Sequence, residues 1–366
     1  MMSCEELTYL TALHITFRYH GGMARTLIDH FGSASNIFRY QANELALSTR
    51  IPLPRITQLL SDQTLHVAQE EIEWTHKQGI RTYTIYDSSY PKRLFHCPDA
   101  PVILYQKGPA NLSALKTLAV VGTRQATPNG IRITEHIIRN LAKRGHDCTI
   151  ISGLAFGIDI TAHQAALEAG LPTIAVFAFG LDHVQPAQHF SIAQKIMQSG
   201  ACVSDFPSKT LITKVNFLKR NRIIAALADG VLIVESKQKG GALITAEIAQ
   251  SYDREVMAVP GRWNDPCSTG CNALIKEQRA ALVSSVEDIE QQLGWIPVIK
   301  ETPAPVHQQR DLIDSGLLQA LEQGQLSIDQ LHRISHLPLP ELSARLMHLT
   351  LTGDIRRLQQ HQYCLT

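Results

Sequence analysis

Between residues 117 and 283 the chain repeats one pattern: a short unbroken apolar run, then an amphipathic stretch, then another run. The runs cover residues 117–122, 149–153, 173–179, 201–205, 230–235, 255–260 and 280–283. A strand apolar at every position is buried on both faces, and strands separated by helices run parallel. The pattern therefore predicts an α/β fold, a Rossmann-like, doubly wound, mostly parallel sheet.

The flanks read differently. Residues 7–17, 25–30 and 67–77 carry apolar positions three and four apart, with breaks at Gly21-Gly22 and Pro52. This spacing predicts a small helical domain over residues 1–86. The sheet domain then spans 87–295, and Pro297, Pro303 and Pro305 punctuate a polar linker over 296–310. Residues 311–366 show helical spacing at 312–322, 328–334 and 339–350, then Gly353-Asp354 and a strand. That order is the winged-helix pattern. No apolar run reaches the roughly 18 residues of a membrane span, and the acidic start of the chain lacks export character. Cytoplasmic residence is expected. The seven scattered cysteines read as free thiols, and no second Cys or His pair completes a metal set around Cys267 and Cys271.

In a parallel sheet all carboxyl ends converge on one edge, where ligands bind. Four glycine-bearing loops fall there: Gly122-Thr123-Arg124, Ser152-Gly153-Leu154-Ala155-Phe156-Gly157, Gly180-Leu181-Asp182 and Gly240-Gly241. Glycine lets backbone N–H groups approach an anion, and each helix start adds partial positive charge. Neither a G-x-G-x-x-G fingerprint nor a Walker lysine is present, which argues against NAD and ATP, and no cofactor is expected.

With a net charge of only +1, a nucleic-acid binder must concentrate its cations. Residues 209–222 do so, with Lys209, Lys214, Lys219, Arg220 and Arg222 and no acid. The helix there is expected to begin near Lys219, so its first turn carries cations that oppose the macrodipole unless a polyanion supplies the missing charge. Phe217 inside this run is either a base-stacking platform or a core residue of the helix start. Asp159 and His163 share a helix face, as an acid–base pair would, but such residues more often compensate a dipole and bond locally.

Taken in order, the motifs resemble the DNA-processing protein A family (DprA, also called Smf). They include Tyr90-Pro91, Val120-Val121-Gly122-Thr123-Arg124 and Ile151-Ser152-Gly153-Leu154-Ala155, followed by Gly157-Ile158-Asp159 and His163. Gly180-Leu181-Asp182, Phe217, Arg220-Asn221-Arg222, Leu243-Ile244-Thr245-Ala246, Val259-Pro260-Gly261 and Gly270 with Asn272 continue the match. The resemblance implies a dimerising core that binds single-stranded DNA and hands it to the recombinase RecA, with no established catalytic residue. It implies phosphate contacts at Arg124 and Lys214, a base stacked on Phe217 and backbone donors from Ser152-Gly153. Gly122, Thr123, Arg220, Asn221, Arg222, Gly240, Gly241 and Thr245 complete the expected DNA-binding set. Departures include Leu218 where the family usually has Pro, and Gly240 where it usually has Ser.

Two other readings are weighed. Gly240-Gly241 and the following Thr245 and Glu247 faintly resemble the loop of nucleotide phosphoribohydrolases. The winged helix would suit a duplex-DNA regulator, but residues 311–366 hold six acids against four arginines, which favours a packing or partner role.

Overall fold

The computed structural model describes residues 3–17, 21–297, 312–322, 324–358 and 362–366. Nearly all of the predicted linker, residues 298–310, lies outside them. The chain forms two compact units, residues 1–298 and 299–366.

The described residues of the first unit contain a nine-stranded sheet. Its strands are β1 (Arg81–Thr84), β2 (Ile103–Lys107), β3 (Thr117–Val121), β4 (Thr149–Ser152), β5 (Thr173–Val176), β6 (Ala201–Ser204), β7 (Gly230–Ile233), β8 (Glu255–Ala258) and β9 (Ala281–Leu282). The order is β1-β2-β6-β5-β4-β3-β7-β8-β9. From β6 to β9 every neighbouring pair is parallel. Strands β3 to β7 are buried throughout, which is why their interiors are apolar and their hydroxyls, Thr117, Thr149, Ser152, Thr173 and Ser204, stand only at strand ends.

Two strands escape the apolar-run pattern. β2 pairs antiparallel with β6, and β1 pairs antiparallel with β2 at the sheet edge. β1 lies within the stretch expected to be wholly helical. Its four residues, Arg81-Thr82-Tyr83-Thr84, of which only Tyr83 and Thr84 are buried, are too few to display a period.

The expected N-terminal helices are present as Cys4–Phe17, Gly21–Phe31 and Asp62–Lys77. Pro52, read as a break, stands between helices Ala42–Thr49 and Leu53–Leu59, where its fixed φ and missing N–H cost nothing, whereas Gly21-Gly22, also read as a break, opens the helix Gly21–Phe31. The helices do not enclose a core of their own. Leu10, Leu13, Phe17, Ile37 and Ile56 join one continuous apolar cluster with Ile103, Leu104, Ile223 and Ala258 of the sheet layer.

The second unit has its own core of Leu317, Leu321, Leu331, Leu342, Leu346, Leu349, Ile355 and Tyr363. Helices Leu312–Glu322, Ile328–Ser335 and Leu339–Leu351 pack with β10 (Leu326–Ser327), β11 (Ile355–Arg357) and β12 (Gln362–Leu365), ordered β10-β12-β11. Its helix Leu339–Leu351 carries Arg345, which pairs with Asp314 at 3.0 Å and Glu341 at 3.5 Å. An arginine held by two carboxylates is poorly placed to neutralise phosphate.

Candidate nucleic-acid interface

After β6 the chain returns to the far side of β3 to lay down β7, so the winding direction reverses between β4–β3 and β3–β7. Loops on the two sides of such a switch point diverge and leave a crevice at the carboxyl edge. A cleft of about 510 Å³ opens there. Gly122, Thr123, Arg124 and Gln125 line it after β3, Ala155 after β4, and Ser236, Lys237, Lys239, Gly240, Gly241 and Thr245 after β7. The helix Lys214–Leu227 closes one wall with Phe217, Leu218, Arg220, Asn221 and Ile224.

Local geometry explains the glycine after β3. A Cβ on Gly122 would sit 2.5 Å from Ile158 Cγ1 and 3.0 Å from the Glu235 carbonyl, so the turn needs a residue without one. The helix on the cleft wall starts at Lys214, five residues before the expected Lys219. Thr213 caps it by accepting from the Asn216 N–H. No acid lies in its first turn, so exposed Lys214 meets the positive end of the dipole uncompensated. One turn on, Phe217 rests its partly buried ring against the cluster of Leu154, Phe177 and Phe179. The Arg124 guanidinium lies over that ring, 4.9 Å from its centroid. Asp159 is the single acid among the described lining residues.

Several expected contacts lie elsewhere. Arg222 comes five residues after Phe217, which at 3.6 residues per turn points it about 140° away. It is buried, bridged to the buried Asp205 carboxylate, and donates to the Asp99 carbonyl at 2.6 Å. It therefore belongs to the core and not to the cleft. Ser152 is also buried, donating to the Val120 carbonyl at 2.6 Å. Arg220 lines the cleft floor but is only 3% exposed, and its Nη1 donates to the Gly153 carbonyl at 2.7 Å and to that of Val176. Gly153 lies beneath this guanidinium; a Cβ there would be 2.2 Å from Nη1. The backbone N–H groups of Gly153 and Ala155 bond the buried Asp159 carboxylate. The Ser152-Gly153 loop thus spends its donors inside the protein. Burial raises the Asp159 pKa while Arg220 draws it back, and burial lowers Arg220 to about 10, still charged at neutral pH. The Gly180 loop is outside the cleft, with Asp182 accepting from the Lys209 N–H at 3.2 Å. Lys237 and Lys239 were not anticipated. Their signal was the one used for Arg124, a cation beside a glycine turn after an apolar run.

Asp159 and His163 do not work as a pair. The hydroxyl of Thr173 donates to the Ile150 carbonyl at 2.8 Å, so it accepts from His163 Nδ1–H at 2.7 Å. Burial lowers the His163 pKa from 6.5 to about 3. Between those values the unfolded chain binds a proton that the folded chain refuses, so stability falls as pH drops below 6.5. Urea unfolding at about pH 7 and about pH 5.5 should show wild type losing about 1.2 kcal/mol more over that interval than His163→Gln. Equal losses would mean that this histidine is not the titrating group. Glu247 of the hydrolase-like loop is exposed and pairs with Arg279 at 3.5 Å, outside the cleft lining.

The geometry defines a doubly wound α/β protein with a cationic cleft at its switch point and a separate winged helix. Comparison with known sequences gives the family. Residues 81–294 match DNA recombination-mediator protein A, and residues 301–360 match the DprA winged helix domain. The chain belongs to the DNA-processing protein A (DprA/Smf) family. It is 38% identical to the DNA processing protein DprA of Bacillus subtilis over 59% of this chain and 72% of that one. It is 37% identical to protein Smf of Escherichia coli over 73% and 72%. Among solved structures, Streptococcus pneumoniae DprA superposes with a TM-score of 0.57 at 33% identity, over 69% of this chain and 90% of that one. Helicobacter pylori DprA, described for its unique single-stranded DNA binding mode, gives 0.52 at 31% identity, over 58% and 95%. Among the described residues no helix is long and apolar enough to cross a membrane.

Proposed function

We propose that the cleft holds single-stranded DNA and that the chain delivers this strand to a RecA-type recombinase, acting in the cytoplasm as a homodimer without catalysis of its own. The observation that carries the binding reading is the Arg124–Phe217 pair at the mouth of the cleft, one helical turn from Lys214. An aromatic face flanked by cations suits an unpaired strand, because every base offers a π-face and every linkage a phosphate. Binding exchanges the Arg124–ring contact for base stacking and frees the guanidinium to grip a phosphate. Gly122, Thr123, Asn221, Gly240, Gly241 and Thr245 shape the backbone track. Arg220 and Asp159 hold the floor together. The recombinase step and the dimer rest on the family resemblance. A dimer would place two clefts on one strand, so avidity would exceed that of either alone.

The test is a titration with single- and double-stranded oligonucleotides across a salt series. Single strands should bind more tightly. Lys214→Ala and Arg124→Ala should each flatten the log–log salt dependence by about 0.7. Equal affinity for duplex, or unchanged slopes, would remove the cleft from the account. RecA filament assembly on strands already coated by a single-strand-binding protein tests delivery, and sedimentation tests the dimer.

A further inference from the structure

We infer that the loop after β8 forms a second base-stacking platform, extending the bound strand from the Arg124–Phe217 cleft across β7 and β8 to Trp263. The inference rests on the single-strand reading above and adds to it a site that no comparison assigns. Trp263 is 89% exposed, whereas Trp295 is 7% exposed and Trp74 packs against the core. A tryptophan left in water keeps the largest apolar side chain unburied, so its position calls for an explanation.

The loop that carries it is built and fastened. Gly261 is clamped by the Asn272 amide, its N–H donating to Oδ1 at 3.1 Å and its carbonyl accepting from Nδ2 at 3.0 Å. Asp265 accepts from the Cys267 N–H at 2.9 Å and the Ser268 hydroxyl at 3.2 Å, so its charge is engaged within the loop. The Cys267 carbonyl accepts from the Ser236 N–H at 2.7 Å, and Gly270 N–H donates to the Ser236 carbonyl at 2.8 Å. The Trp263 loop is therefore tied to the residue immediately before Lys237.

Lys237 in turn reaches Gln125 Oε1 at 3.4 Å, beside Arg124. Arg124, Lys237, Lys239 and Arg262 are all exposed along this edge. They follow β3, β7 and β8, adjacent strands about 4.8 Å apart. Cations along a track with an aromatic at each end are what a single strand requires. A large apolar docking patch would surround the ring with further apolar side chains. Trp263 instead stands between Arg262 and Asn264.

The full chain, Trp263→Ala and Trp263→Phe are titrated with oligothymidylates of about 4 and about 20 nucleotides, bracketing the size of one site. Trp263→Ala should weaken the long oligomer roughly 5- to 150-fold and leave the short one unchanged, with Trp263→Phe retaining most of the affinity. Long-oligomer binding should also shield wild-type tryptophan emission from a soluble quencher. If wild type binds but Trp263→Ala binds the long oligomer equally well, the platform is overturned and the cleft reading stands. If wild type binds neither oligomer, both fall. A change of oligomeric state in Trp263→Ala with affinity preserved would make Trp263 a subunit contact and overturn the platform.

Discussion

Replacing Arg222 with methionine is expected to cost about 3–5 kcal/mol of folding stability while leaving the single-strand affinity of the folded protein unchanged. The guanidinium and the Asp205 carboxylate are both buried, and Asp205 lies beside the N-terminal helices, its carbonyl 2.7 Å from His14 Nε2. Burial already raises the Asp205 pKa, and Arg222 is what draws it back. Removing the cation leaves an uncompensated carboxylate in the core, which must ionise at a penalty or take up a proton. The loss should therefore ease in acid. Pairing Arg222→Met with Asp205→Leu should recover much of it, since a buried pair replaced by apolar groups is often close to neutral. Chemical denaturation of the three variants beside wild type measures the effect. Normal stability with lost affinity in Arg222→Met would instead return Arg222 to the binding surface.

Phe217→Ala is expected to weaken single-strand binding by about 1–3 kcal/mol. The ring is only partly buried, with one side on the cluster around Leu154 and the other under Arg124. Its removal should therefore trouble binding more than folding. Phe217→Trp should retain binding, because it keeps a stacking face. Anisotropy titrations at fixed salt, with thermal melts alongside, separate the two effects. Unchanged affinity in Phe217→Ala would make the ring a packing residue and leave Arg124 as its cover.

The sheet was legible because a strand buried on both faces has an apolar interior, and β3 to β7 carry hydroxyls only at their ends. β1 was not, since four residues, of which only Tyr83 and Thr84 are buried, are too few to carry a period. Cleft residues beside a glycine turn could be read from chain order, as Gly122 to Arg124 show. Arg220 and Arg222 could not, because counting charge along a segment does not separate a solvated cation from one bonded into the interior. Setting the helix start at Lys219 hid the phase that places Phe217 and Asn221 on the cleft and turns Arg222 away. Lys237 and Lys239 precede the glycine pair Gly240-Gly241, so a search for cations that follow a glycine turn, as Arg124 does, passes over them.

The apolar cluster that runs unbroken from the N-terminal helices into the sheet layer bears on how this architecture can be taken apart. The winged helix encloses its own core, which is what a unit able to fold by itself requires. The leading helices have no such core. Cutting them away would strip one flank of the sheet to water, so the leading helices and the sheet stand or fall as one body.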